Sequence, residues 1–158
     1  MNELTTERIG EVVIEALERT AFVLADAVDK DEAETCGNLS NHSRVNFTGD
    51  VNGEVHLAAT DGFLRELAAS LLGIDASEID LGTHGRDALC ELTNIVGGSI
   101  ILELGGDERP YEYGLPEVLE NVPFTSASGE QDVAYFIADE DALAVYWKPV
   151  QQESQAAA

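Results

Sequence analysis

Asp87, Glu91, Asn94 and Gly98 recur at intervals of four, three and four residues within the stretch Arg86 to Leu104. On a helix advancing about 100° per residue, these four fall within a stripe about 60° wide. Leu89, Leu92, Val96 and Ile100 fall on roughly the opposite side. Positions three and four apart on a helix are neighbours in space, so the stripe gathers two carboxylates, an amide and a glycine on one surface. Its composition is poor for a helix selected for stability alone. Asn and Gly have low helical propensity, and Asp87 beside Glu91 is a like-charge pair. Two readings follow. A solvated face tolerates such residues. A glycine one turn after Asn94 also clears bulk from beside the amide, as a closely approaching partner requires.

Other chemistry is missing from the chain. There is no GxGxxG, no phosphate-binding Walker loop, no HExxH and no GxSxG. His42, His56 and His84 share no ligand spacing, and His56, set among alternating apolar residues, reads as a sheet-surface side chain. The acids do not fall at the offsets of a calcium loop. Cys36 and Cys90 form no CxxC pair and read as free thiols.

The chain has 158 residues, 31 Asp+Glu against 8 Lys+Arg, and a formal charge of -23. A surface this negative repels phosphate backbones and anionic lipid, so neither nucleic acid nor a membrane surface is an expected partner. The hydrophobic fraction, 44%, supports a packed core rather than disorder. The length suits a single domain over 1–150, followed by a flexible tail over 151–158. No secretory signal pattern and no membrane-spanning apolar run is visible, which points to the cytoplasm. The acidity, with Lys30 and Lys148 the only lysines, fits either a salt-rich cytoplasm or a basic partner.

The elements that must carry the stripe can be read from period. Glu7 to Val28 has apolar residues at helical spacing, with Thr5 or Thr6 as cap. Asp29 to Gly37 is a charged connection. Val45, Phe47, Val51, Val55 and Leu57 then alternate around the turn Gly49 to Gly53, which predicts a hairpin. Asp61 caps a second helix that ends at Gly73, and Ile74 to Gly85 is a polar connection. The motif helix stops at Gly105-Gly106. An irregular crossing follows, marked by Gly114-Leu115-Pro116 and Val122-Pro123. A second hairpin, Val133 to Ile137 and Leu143 to Trp147, closes the chain. Hairpins alternating with helices predict an α+β fold: an antiparallel sheet built from hairpins, with long helices packed on one face.

The run Asp87-Ala88-Leu89-Cys90-Glu91-Leu92-Thr93-Asn94, with Gly98 added, resembles the active helix of the CheC/CheX/FliY phosphatases of bacterial and archaeal chemotaxis. The hairpin with glycines at 49 and 53, the helix after it, the Leu115-Pro116-Glu117-Val118 stretch and the terminal hairpin fit the same family. The resemblance covers roughly residues 5–148 and is strongest to CheX. The first helix carries no E-x2-N, so there is one candidate site rather than two. The chain departs from common members at Thr93, where Gly is frequent, and at Ser99, where a basic residue often follows the glycine.

The resemblance implies hydrolysis of the aspartyl phosphate on a CheY-like response regulator. Asn94 would hold the attacking water in line with phosphorus, its carbonyl accepting and its NH₂ donating. Glu91 would pair with the receiver's lysine by a charge-assisted bond. Asp87 would help docking or tune the field, and Gly98 would give clearance. No cofactor is expected on this chain, since the phosphorylated receiver carries the Mg²⁺. A homodimer joined through the sheet is implied as well. One alternative is a non-catalytic module of the same fold that binds a receiver or the flagellar switch. Another is an unrelated acidic interaction protein.

Overall fold

The computed structural model describes residues 4–105, 111–120, 124 and 133–150. The expected tail over 151–158, and Val122 and Pro123 of the irregular crossing, lie outside the described residues. Helices are α1 (Thr6–Ala21), α2 (Lys30–Glu34), α3 (Asp61–Leu72) and α4 (Arg86–Glu103). Strands are β1 (Asp26–Val28), β2 (Asn41–Thr48), β3 (Gly53–Ala59), β4 (Glu112–Tyr113), β5 (Glu117–Val118), β6 (Ala134–Ala138) and β7 (Asp141–Pro149). Their order in the sheet is β1-β6-β7-β3-β2-β4, with β5 also paired to β2, and all pairings are antiparallel. The predicted α+β class, both hairpins and the motif helix are therefore present.

Antiparallel strands with period two put alternate residues on opposite faces. Val45, Phe47, Val55, Leu57, Phe136, Leu143 and Val145 form the main core with the apolar stripes of α1, α3 and α4. The helices are held by local devices. Thr5 caps α1 by accepting from the Arg8 amide at 3.1 Å. Thr60, not Asp61, caps α3: its Oγ1 accepts from the Phe63 amide at 3.3 Å and from the Ala142 amide at 3.1 Å, which fastens the start of α3 to β7.

One boundary differs from the periodic reading. Helix α1 stops at Ala21 instead of continuing to Val28. Phe22 takes a left-handed φ of 56°, and its amide and that of Val23 close the helix on the Leu17 carbonyl. Asp26, Ala27 and Val28 are then extended against Ile137, Phe136 and Tyr135. Phe and Val are weak helix formers, and here they turn the chain so that the next residues satisfy the hydrogen-bonding edge of β6. The charged connection after it also contains the short helix α2, capped by Asp29.

The sheet face away from α1, α3 and α4 holds a second, smaller cluster of Ala58, Phe124, Ala144 and Tyr146. His56 lies in it at 2% exposure, so the reading of a sheet-surface side chain is corrected. Arg44 pairs with His56 and His42 with Ala58, which makes the two histidines diagonal neighbours on one face. His42 Nε2 and His56 Nδ1 are 2.8 Å apart, and His56 Nε2 lies 2.8 Å from Glu54 Oε1. With His56 Nε2–H donating to the carboxylate, Nδ1 is left to accept from His42. The His56 ring stacks on Tyr146 at 4.6 Å, and Lys148 Nζ stands 3.7 Å from Glu54. Burial holds the His56 imidazolium pKa down to about 4 against the pull of Glu54.

The sign of the consequence is fixed. Between pH 6.5 and 4 the unfolded chain binds a proton at this position that the folded chain refuses, so stability is lost as pH falls through that window. The full loss is roughly 3 kcal/mol. In urea unfolding, the stability advantage of wild type over His56→Gln is expected to narrow by about this amount between pH 7.5 and 4. An advantage that stays constant with pH would show that His56 is not the group refusing the proton.

Candidate functional site

Helix α4 begins without a side-chain cap of its own because it runs on from a π-helical turn, Leu81–Gly85. Asp80 starts that turn by accepting from the Gly82 amide at 3.0 Å, and its own amide donates to His84 Nδ1 at 3.1 Å. The buried side of α4 is Ala88, Leu89, Leu92, Thr93, Val96, Gly97, Ile100 and Ile101. Residues at these offsets make a stripe wide enough to lie on the sheet and between α1 and α3.

Two contacts set how closely the helix lies on β2. A Cβ on Gly97 would stand 2.8 Å from Val45 Cγ1, so the glycine lets the backbone approach the strand. Thr93, fully buried, donates from Oγ1 to the Leu89 carbonyl at 2.6 Å. Its hydroxyl oxygen lies 2.6 Å from Ser43 Oγ, so Ser43 donates across the helix–sheet interface. Thr93, one departure from the common family pattern, therefore faces the sheet and not the site. Ser99, the other, donates to the Ile95 carbonyl of its own helix at 3.0 Å.

With that side held down, Asp87, Glu91 and Asn94 are exposed on the other, and Gly98 is half-buried beyond them. The structure thus brings the four sequence-derived residues onto one accessible surface. Neither Asp87 nor Glu91 has a hydrogen-bond or ion-pair partner among the described residues. Their neighbour Arg86 is engaged with Glu120 at 2.5 Å. Cys90, between the two acids in sequence, has its thiol pKa pushed up, first by burial and then by Asp87, against the pull of Arg86. A raised thiol pKa works against a thiolate nucleophile. Both cysteines are free. Among the described residues, no three His, Cys, Asp or Glu side chains converge as a metal site.

Gly98 and Gly97 are separated by their surroundings. A Cβ on Gly98 would meet only Tyr113 Oη, at 3.5 Å, an ordinary contact. The fold itself therefore does not require a glycine at 98, while it does at 97. Tyr113, on the short edge strand β4, was not legible as a neighbour of the stripe. It reaches α4 because β4 pairs with the end of β2, at Phe47. No local periodicity marks a two-residue strand.

A helix that buries one side on an antiparallel sheet and offers an acid and an amide, one turn apart, on the other has the architecture of the CheC/CheX/FliY proteins. The CheX structure from Desulfovibrio desulfuricans matches with a TM-score of 0.66 and 16% identity, over 92% of this chain and 98% of that one. A structure of the CheX-CheY-BeF3-Mg²⁺ complex from Borrelia burgdorferi gives 0.68 and 12%, over 94% and 100%. FliY of Thermotoga maritima gives 0.53 and 16%, over 92% and 90%. No curated protein sequence matches the chain. The family model described as chemotaxis phosphatase CheX matches residues 42–138, a span that includes all but one residue of the first hairpin, α3, α4 and the first strand of the second hairpin. The chain belongs to the CheX family. No helix among the described residues is long and apolar enough to cross a membrane.

The two glycines make a paired expectation. Gly97→Ala trades about 1 kcal/mol of helix propensity against an overpacking cost of roughly 1–3 kcal/mol, and is expected to lower the unfolding midpoint. Gly98→Ala is expected to hold or raise it by up to about 1 kcal/mol. Thermal unfolding of the two variants side by side checks this, and equal destabilisation would remove the distinction.

Proposed function

We propose that the chain dephosphorylates the aspartyl phosphate of a CheY-like receiver domain. The observation that carries this reading is the joint exposure of Glu91 and Asn94 on the outer side of α4, which is rigidly seated on the sheet. An acyl phosphate is already reactive, so the catalyst has little covalent work to do. What it must supply is a positioned water. In this reading the Asn94 carbonyl accepts from that water and the amide NH₂ donates toward the phosphoryl group. Asn94 is not a general base. Glu91, one turn earlier, pairs with the receiver lysine and sets the register of insertion. The receiver contributes the phosphorylated aspartate and Mg²⁺, and this chain contributes no metal.

Gly98 leaves the partner's loops room beside Asn94. The Gly98→Ala substitution, sterically permitted by the fold, would then interfere with the partner alone. Asp87 supports docking from one turn before Glu91. The family description, chemotaxis phosphatase, and the Borrelia complex of a CheX with CheY, BeF3 and Mg²⁺ support the receiver as partner. A homodimer joined through the sheet belongs to the same reading. A non-catalytic receiver- or switch-binding module of the same fold is the second reading.

Loss of phosphate from phosphorylated receiver domains tests both readings. Asn94→Ala is expected to lower stimulated dephosphorylation at least about 100-fold, with fold and most receiver binding retained. Glu91→Ala is expected to lower activity and weaken productive binding together. Full activity in Asn94→Ala would refute the water-positioning role. Binding without any turnover by wild type would favour the module.

A further inference from the structure

Beside the acid–amide stripe is a cavity of about 220 Å³, bounded by Leu71, Leu72, His84, Asp87, Ala88 and Glu91. It lies where the last turn of α3 meets the first turns of α4. We propose that this cavity takes a second basic side chain of the receiver domain, its aliphatic stem against Leu71, Leu72 and Ala88 and its cationic head at Asp87. The proposal rests on the receiver reading of the same surface and adds a determinant of which receiver is served.

Four observations carry it. The walls are apolar, and Leu72 is 53% exposed although it is a large aliphatic residue. Covering it on docking is favourable in proportion to the area removed from water. The rim is anionic: Asp87 and Glu91 border the cavity, and neither is held in a hydrogen bond or ion pair among the described residues. If Glu91 takes the receiver lysine beside the phosphate, Asp87 is left for another cation. Third, α3 ends here with no basic residue in its last turn. The partial negative charge of a helix C-terminus favours a cation at that end, and the last turn of α3 supplies none of its own. Fourth, the size is below that of drug-sized pockets and suits one side chain rather than a helix or strand.

An apolar stem with a charged head is the chemistry of lysine and arginine, which cover apolar surface while the head stays wet. The chain's charge of -23 favours a cationic occupant at such a rim. A receiver's phosphorylation pocket is itself acidic, so attraction near it relies on short-range pairs rather than on broad opposite fields.

Leu72→Asn and Asp87→Asn, both at exposed positions, test this against a panel of receiver domains. Each is expected to raise KM for a phosphorylated receiver by roughly fivefold, with kcat changed by less than about twofold. Asp87→Asn is also expected to flatten the dependence of KM on salt. In parallel, the methyl signals of Leu71, Leu72 and Ala88 in wild type are expected to shift on adding receivers held active by BeF3 and Mg²⁺. Unchanged KM and unshifted methyl signals, with turnover still abolished by Asn94→Ala, would overturn the cavity and leave the phosphatase reading standing. A KM effect from Leu72→Asn but none from Asp87→Asn would overturn the basic occupant. Shifted methyl signals without turnover would support the cavity and refute the phosphatase reading. Neither binding nor turnover with any receiver would overturn both.

Discussion

The whole arrangement depends on how closely α4 can lie on β2. Gly97 against Val45 lets the helix backbone come down onto the strand, and the Ser43–Thr93–Leu89 hydrogen-bond chain ties the two together in the dry interface. A buried hydroxyl pair of this kind is favourable only while both members are satisfied, so it penalises sliding or rotation of the helix. Rotation by one residue, about 100°, would lift Leu92 and Val96 from the core and bury charged side chains in their place. The orientation of Glu91 and Asn94 is thus enforced from the opposite side of the helix, by residues that never touch a substrate. Under the proposed mechanism this matters, because Asn94 would position water and small displacements of such a group are expensive in rate.

Seating and function place opposite demands on neighbouring residues. At 97 the fold needs a glycine, and the helix bears the propensity cost in exchange for packing. At 98 a Cβ would meet only an ordinary contact, so packing within the described residues does not call for the glycine. The acids divide in a similar way. Arg8 bridges to Glu103 and Arg44 to Glu117, exposed or half-exposed pairs that contribute little to stability but steady element ends. Asp87 and Glu91 are in no such pair among the described residues.

The reverse face of the sheet serves a different purpose. The His42–His56–Glu54 chain and the stacked Tyr146 fill a region where a plain apolar cluster could stand. His56 is neutral there, since burial outweighs the nearby carboxylate. The cluster lies on the sheet face opposite α4, and the His56 proton affinity makes its effect one on stability in acid.

By itself the sequence determined the motif helix and its two sides, both hairpins, the α+β class and the single acid–amide pair, and through these the family. These are local or strongly periodic signals: Leu89, Leu92 and Val96 against Glu91 and Asn94, or Val55 and Leu57 alternating with polar neighbours, need no knowledge of distant residues. Tertiary structure alone decided the rest. Residues 23–28 continue an apolar pattern, yet β6 captures 26–28 as an edge strand because an open edge must be satisfied. His42 and His56 meet only through the β2–β3 register, and Tyr113 reaches Gly98 only through a two-residue strand. Spacing placed Gly98 on the stripe but was silent on Gly97; only the structure shows Val45 pressed beneath Gly97 and ordinary contact distance beside Gly98. The cavity at Leu72 and Asp87 likewise exists only where the end of α3 meets α4. Periodicity reports which face of one element is apolar, but which two faces meet is set by burial of the whole core.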